Sequence, residues 1–504
     1  MENMKRPFLA VLLALLYAQA AYCQSLQVEL GPVVDPKEMQ KELDLPRIGP
    51  LAPFRSFSYS TSLFFDPSQK KTYSGFGFQG KSFYFGVLEN YLKYSGVKKL
   101  TAENINEEVS LNAFIVLNKK MYILYSLKYP KQDGFSAYVN EVSPDMIVLG
   151  SPIALHSFKD LDKYGMNVFV SSSEDKKYIL ITRILNTKSK ETQKLECKVI
   201  DDSFSEVWYT RVETESTDKE LTVQSVKVDG VGNMHALVEF DSKKINKPVV
   251  YSYFWKAKAL KIFEPGLPTG VNFGTRLELL KGTDPYIVGL NDEQKQVKYF
   301  VDRINMQSQT LEKLGSQLMP EDFRKLSNFR VFETKHWGVM DIVMLDNDAI
   351  VASIEAIVVD SKYGQHHSYN AYVYAFRKDG SQIWSRIIQK KQITLPGFAG
   401  HMLIPAKDQV FVVYNDLAEN LPKDPDVTKV SPLYAKNPMP VAQKIDASGK
   451  ATKFPLTKAK DFEDYALNFR ALAKIEKGLY FNTTIKRNGM YSFDSRNATI
   501  KVVD

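Results

Sequence analysis

From about Phe54 to its end, this 504-residue chain alternates apolar and polar residues in short runs. Turn residues punctuate the runs at intervals of about 8–12 positions. Asn112–Leu117, Met121–Leu127, Lys177–Ile184, Val223–Val228, His235–Phe240, Val249–Trp255, Asn370–Phe376 and Val410–Tyr414 all follow this pattern. Successive side chains of a strand point to opposite faces, so a period of two puts one face in a core. The runs are rich in Val, Ile, Tyr and Phe, whose branched or flat side chains suit a pleated surface. Asp229-Gly230, Asp379-Gly380, Ser448-Gly449 and Asn488-Gly489 supply hairpin chemistry between them. Helical periodicity is confined to short stretches at Ala102–Glu108, Pro320–Leu326 and Ala459–Leu467. The pattern therefore predicts an all-β protein.

The runs fall into sets of about four. The sets begin near Phe54, Val109, Asn167, Leu221, Arg276, Gly338, Gly400 and Leu467. A repeat of roughly 45–65 residues with four strands is the pattern of a β-propeller, in which each blade buries its faces against its neighbours. With the first or last set shared or degenerate, seven blades is the first expectation and eight the second. A pair of β-sandwiches is the alternative architecture. The hairpin Asp379-Gly380-Ser-Gln-Ile-Trp384 is similar to the repeats of quinoprotein-like propellers, in which a Gly precedes a docking Trp by four positions. It occurs convincingly once. As a whole the chain resembles uncharacterised secreted β-propeller proteins of Gram-negative bacteria. That resemblance implies a propeller and no quinone chemistry.

The N-terminus reads as an address. Lys5 and Arg6 precede an apolar core from Phe8 to Leu16, followed by Ala18, Ala20 and Ala21. This is the layout of a secretory signal peptide, expected over residues 1–23. The apolar run is shorter than the roughly 20 residues a membrane-spanning helix needs. Cys23 offers a lipidation point, although Tyr22 stands where a small residue is wanted. Residues 24–53 hold Pro32, Pro36, Pro46, Pro50 and Pro53 and read as an arm with a short helix from Pro36 to Leu43, leading to a propeller over 54–504. The expected location is exported: periplasmic, outer-membrane-associated or extracellular. Loss of Cys23 with the leader leaves Cys197 as a lone thiol, placed by alternation in a strand facing the core. The net charge of +8 is spread in pairs along the chain and implies no nucleic-acid partner.

Motifs give little chemistry. Gly75-Phe-Gly-Phe-Gln-Gly80-Lys81-Ser82 matches the P-loop spacing, but a strand-like run follows where a phosphate-binding helix belongs, so a Gly-rich hairpin is expected. None of the six His has a metal-ligand spacing. His366 and His367, with Tyr363 and Tyr369, occupy a polar stretch between two strands and are candidate ligand-binding residues. Asp416 and Asp424 in a second long loop are the other candidates, because binding residues concentrate on loops held by a rigid scaffold. Asp346-Asn347-Asp348 reads as a tight turn. Tyr251, Tyr253 and Trp255 share a strand face that either packs between blades or forms a sugar platform. No catalytic residue, cofactor site or metal site is assigned.

The expected function is a non-catalytic binding or scaffold module for an envelope protein or a glycan. A secreted hydrolase or lyase acting on polysaccharide or peptide is the alternative, and a structural surface protein is a third. A cluster of Asp, Glu, His, Tyr and Arg in the central channel would favour an enzyme.

Overall fold

A computed structural model describes residues 25–34 and, from 63 to 503, all but short segments, of which 102–108, 186–193, 327–335, 422–437 and 457–464 are among the longest. The described residues form eight antiparallel sheets. Blades 1 to 7 begin at Leu63, Val109, Phe169, Glu220, Val271, Trp337 and His401, and each runs through four strands in sequence order. The eighth blade holds Tyr465–Leu467, Ala473–Glu476, Leu479–Arg487 and Phe493–Val503. The fold is thus a β-propeller, with eight blades rather than the seven first expected.

Closure uses the segment read from sequence as an arm. Ser25–Val34 pairs antiparallel with Phe493–Val503 and becomes the outermost strand of blade 8. Chain start and chain end therefore share one sheet, so unzipping the ring costs a full ladder of backbone hydrogen bonds. Gly31 lies against the Leu92 carbonyl of blade 1, where a Cβ would sit 2.5 Å from the oxygen. Phe65 and Phe481 meet across the same junction with centroids 5.7 Å apart. The signal peptide and the helix expected at Pro36–Leu43 lie outside the described residues. So does Ala102–Glu108. Glu321–Leu326 is helical as expected. In the stretch expected as a helix over 459–467, Tyr465–Leu467 is instead a strand, because it pairs with Leu479–Arg487. Tertiary pairing overrides a weak local preference there.

The first strands of neighbouring blades adjoin one another and surround the axis. Several carry a β-bulge at the same level: Leu111/Ala113, Val223/Ser225, Phe273/Arg276 and Val339/Asp341. A bulge re-aims the side chains beside it, which matters below. Between blades, apolar side chains interdigitate. Trp384 of blade 6 packs over Gly449 in the last hairpin of blade 7, where a Cβ would come within 2.8 Å of the Trp Cβ. Leu314 of blade 5 packs in the same way over Gly380 of blade 6. The hairpin noted in the sequence thus does dock one blade on the next. Tyr251 is core, with Cys197, in the seam between blades 3 and 4. The P-loop spacing falls on the hairpin of Lys71–Gln79 and Ser82–Glu89.

Antiparallel order also separates two ends of the ring. Turns joining strands 1–2 and 3–4 lie at one end. Those joining strands 2–3, and the links between blades, lie at the other. The first end is closed by tight Asp turns. Asp446 accepts N–H groups of Ser448 (2.9 Å) and Lys450 (3.0 Å), and Asp201, Asp229 and Asp379 do the same in their own turns. The long loops predicted from sequence are at the opposite end.

Candidate functional site

A cavity of about 1270 Å³ runs along the axis beside blades 5 to 8. Its wall includes Arg276 and Glu278 of blade 5, Asp341 of blade 6, His401 of blade 7 and Tyr480 of blade 8. The bulges set up the first part of it. Met340 is left unpaired by the Val339/Asp341 irregularity, and its free carbonyl accepts a hydrogen bond from Arg276 Nη1 at 2.6 Å. The other terminal guanidinium nitrogen, Nη2, lies 3.8 Å from Asp341 Oδ1. The Leu403 N–H of blade 7 donates to Asp341 Oδ2 at 3.2 Å. Gly274, with φ of +55°, lets the two channel strands come this close, since a Cβ there would sit 2.5 Å from the Trp337 carbonyl oxygen. Lys227 of blade 4 pairs with Glu278 at 2.9 Å. Burial pushes the Asp341 carboxyl above its ordinary range, against the pull of Arg276 and His401. Burial also holds the Tyr480 phenol far above its ordinary value, so it stays protonated.

Behind the wall lies a buried polar network in the seam between blades 6 and 7. Glu355 sits in the second strand of blade 6, Ile350–Asp360, and its side chain is fully buried. Lys390 Nζ contacts its Oε1 at 2.6 Å. His401 Nδ1 donates to its Oε2, and Ser368 Oγ donates to Oε1. Gln392 Oε1 accepts from Lys390 (3.2 Å) and the Gly400 N–H (2.8 Å), and Ser368 Oγ lies 3.0 Å from it. Gln392 Nε2 then donates to the Asn415 carbonyl at 2.7 Å, and Asn415 Nδ2 donates to the carbonyls of Phe398 and Leu467. Burial alone would raise the Glu355 carboxyl, but Lys390 and His401 outweigh it and pull it down to about 2. Burial lowers the Lys390 ammonium, with Glu355 opposing. The ionised Glu355 carboxylate accepts, so Nδ1 of His401 is the donor in this contact. Among the described residues, His401 Nε2 is buried and has no hydrogen-bond partner, and the same is true of Arg276 Nε.

The residues singled out from sequence divide. His366 lies on the cavity wall. His367, its neighbour on a regular strand, pairs opposite Val358 and Ile393, so the two imidazoles face opposite sides and do not converge. Tyr369 is half-buried on the same strand. Asp416 lies at the end of the second strand of blade 7. It is buried, with Lys453 at 2.6 Å and Asn420 Nδ2 at 2.6 Å, and it pins the start of the loop to the last strand of blade 7. Tyr363 and Asp424 lie outside the described residues. Asp346 and Asp348 close a turn, with Lys378 and Lys281 drawing the Asp348 carboxyl down to about 2. No group of three or more His, Cys, Asp or Glu among the described residues could hold a metal ion. No described helix is long and apolar enough to cross a membrane.

Sequence reasoning missed Arg276, Asp341, Glu355, Lys390, His401 and Tyr480. They come from four blades and meet only in three dimensions. One signal was present: Asp341 stands alone in an otherwise apolar strand, and Glu355 is flanked by apolar residues in its own. A single acid on a core-facing strand needs a partner, and that need marks a site.

No family model matches the chain, and no curated protein matches it. Among solved structures, it is similar to the dipeptidyl peptidase 4 of Porphyromonas gingivalis, with 11% identity over 91% of this chain and 60% of that one, at a TM-score of 0.44. It is similar to polysaccharide lyase Uly1, with 10% identity over 78% of this chain and 89% of that one, at a TM-score of 0.38. It is also similar to the β-propeller domain of the Trilobed protease from Pyrococcus furiosus, with 8% identity over 78% and 92%, at a TM-score of 0.34. The chain spans about 60% of the length of the peptidase. All three are likenesses of architecture.

Proposed function

We propose that this protein is an exported, envelope-associated binding propeller that takes a polyhydroxylated ligand, a glycan, into its central channel. The observation that carries this reading is the cavity wall, where the Arg276 guanidinium stands with the carboxylates of Glu278 and Asp341. Sugar hydroxyls both donate and accept, so a wall of mixed sign suits them better than it suits a ligand of one charge. The mixed charge also argues against nucleic acid, which needs an extended basic track. The secretory-type N-terminus supports the location.

The experiment is a thermal-shift screen of the mature chain against neutral and acidic oligosaccharides, followed by a crystal structure with the best ligand. Ligand density beside Asp341 and Arg276 is expected. Density confined to the long-loop end, away from these residues, would overturn the channel assignment.

A further inference from the structure

Each turn joining strands 1 and 2 of a blade holds at least one residue in the left-handed region. In five of the eight blades that residue is a lysine: Lys70, Lys119, Lys176, Lys281 and Lys407. In blades 4 and 8 it is Gly232 and Gly478, the latter preceded by Lys477, and in blade 6 it is Asp348. The turns joining strands 3 and 4 lie at the same end, farther from the axis. Among the described residues, their left-handed positions hold Asn90, Tyr91, Phe204, Lys258, Gln309, Gly380 and Gly449, with one lysine in the set. Glycine and asparagine take this backbone conformation at less cost than lysine does. Turn geometry is common to both sets, so it does not explain why lysine collects in the inner one. A residue kept in a disfavoured conformation points to a role for its side chain.

The inner turns stand around the channel mouth. Lys281, Lys407, Lys474 and Lys477 are exposed and line the cavity at this end. Against them stand the carboxylates of Glu174 and Asp346. Lys477 pairs with Asp346 at 3.3 Å, and Lys281 with Asp348 at 2.9 Å. Exposed pairs like these hold little energy in water, so an incoming anion exchanges for them readily. Lysine carries its charge as a point on a flexible stem and takes a carboxylate or a sulfate alike. We infer that this mouth captures a polyanionic glycan, one that carries carboxylate or sulfate groups along its length. The inference rests on the channel reading above and adds charge and direction to it. The chain enters from the tight-turn end, with its anionic groups at the lysines and its hydroxyls against Arg276, Glu278 and Asp341. An anionic membrane surface would press on the whole ring at once. The ring is uncharged at Val231-Gly232 of blade 4 and acidic at Asp346 and Asp348 of blade 6, whereas the cavity lysines group on blades 5, 7 and 8. That grouping suits a chain better than a plane.

The test is calorimetric titration of the mature protein with three hexasaccharides: an oligogalacturonate, a sulfated chain and neutral cellohexaose. At about 50 mM NaCl an anionic chain is expected to bind about tenfold or more tightly than the neutral one, and to lose most of that margin at about 500 mM. Which anionic chain binds names the group, carboxylate or sulfate. Lys281→Asn, Lys407→Asn, Lys474→Gln and Lys477→Gln together should abolish the margin while binding of the neutral chain stays within about twofold. Asparagine suits the left-handed backbone, so the Tm should hold. Lys258→Asn makes the same exchange in an outer turn and should change no binding, which separates charge at the mouth from turn geometry. Neutral and anionic chains bound equally at both salt concentrations overturn the inference and leave the binding reading standing. A margin that survives the four changes also overturns it. So does capture of phosphatidylglycerol vesicles with no preference among the hexasaccharides, which would assign the lysines to a membrane. If no oligosaccharide binds at all, the channel reading falls and takes this inference with it.

Discussion

The two seams that flank blade 6 are built on opposite principles. Towards blade 5, Tyr372, Tyr374 and Phe376 of its third strand pack with Tyr299, Phe323 and Trp337. The rings of Tyr299 and Tyr374 lie 4.0 Å apart, and those of Phe323 and Trp337 meet edge-on at 5.1 Å. Each such ring contributes about 1.5–3 kcal/mol by leaving water. Towards blade 7, the alternate residues of the same strand, Ala371, Val373 and Ala375, are small. The room they leave lies beside Glu355, Lys390, Ser368, Gln392 and His401. Burying that network carries a desolvation penalty that its ion pair repays only through good geometry. Strand alternation thus gives one strand a stabilising face and a costly one. The polar seam therefore carries a desolvation cost that the aromatic seam does not.

That contrast can be broken in order of expected effect. Glu355→Ala leaves Lys390 and His401 buried without their counter-ion and should destabilise by about 3–5 kcal/mol, read from urea unfolding. The pair of changes Glu355→Leu with Lys390→Met replaces charge by apolar bulk. It should return stability to within about 1 kcal/mol of wild type while oligosaccharide binding is weakened. Recovery of both would show that the network serves only stability.

Acid is expected to attack the polar seam first. The Glu355 carboxyl is depressed from 4.5 to about 2, so its stabilising contribution is fully present above pH 4.5. It is lost as pH falls from 4.5 through 2. Asp341 runs the other way, because its raised value favours the folded state in acid and not at neutral pH. Hydrogen exchange followed from pH 5 to 2.5 should therefore open Ile350–Asp360 and His401–Ala406 before the aromatic seam. Simultaneous opening would deny the seams separate behaviour.

Smaller effects sharpen the picture. Gly449→Ala brings a Cβ to 2.8 Å from Trp384 at a φ of +85°, and should destabilise by about 1–2 kcal/mol in thermal unfolding. Tyr374→Phe removes a buried hydroxyl of the aromatic seam that has no hydrogen-bond partner among the described residues. It should leave stability unchanged or raise it by up to about 1 kcal/mol. A clear loss would mean that the aromatic seam also relies on a polar contact.

The architecture was readable because it is local. Period-two runs, Asp-Gly turns and the repeat of four each sit within a short window, and so did the docking Trp384. The count of eight was harder, because the last sheet takes Ser25–Val34 from the far end of the chain, and Pro32 and Pro36 made that segment look like a linker. An outermost strand tolerates proline, since one side of its ladder is unpaired. The site was hardest. Asp416 looked like an exposed loop acid, and its burial depends on Lys453, 37 residues away. His401 looked unremarkable, and its meaning depends on Glu355, 46 residues away. Chemistry in a ring of blades is assembled across repeats, so no spacing within one repeat announces it.

The most direct test is isothermal titration of the best oligosaccharide into wild type, Asp341→Ala and Tyr369→Ala. The channel account predicts that Asp341→Ala weakens binding by about tenfold or more, on the order of 1.4 kcal/mol, while Tyr369→Ala changes it less than about twofold. Unchanged binding in Asp341→Ala, with loss in Tyr369→Ala, would place the site on the long-loop end and contradict it.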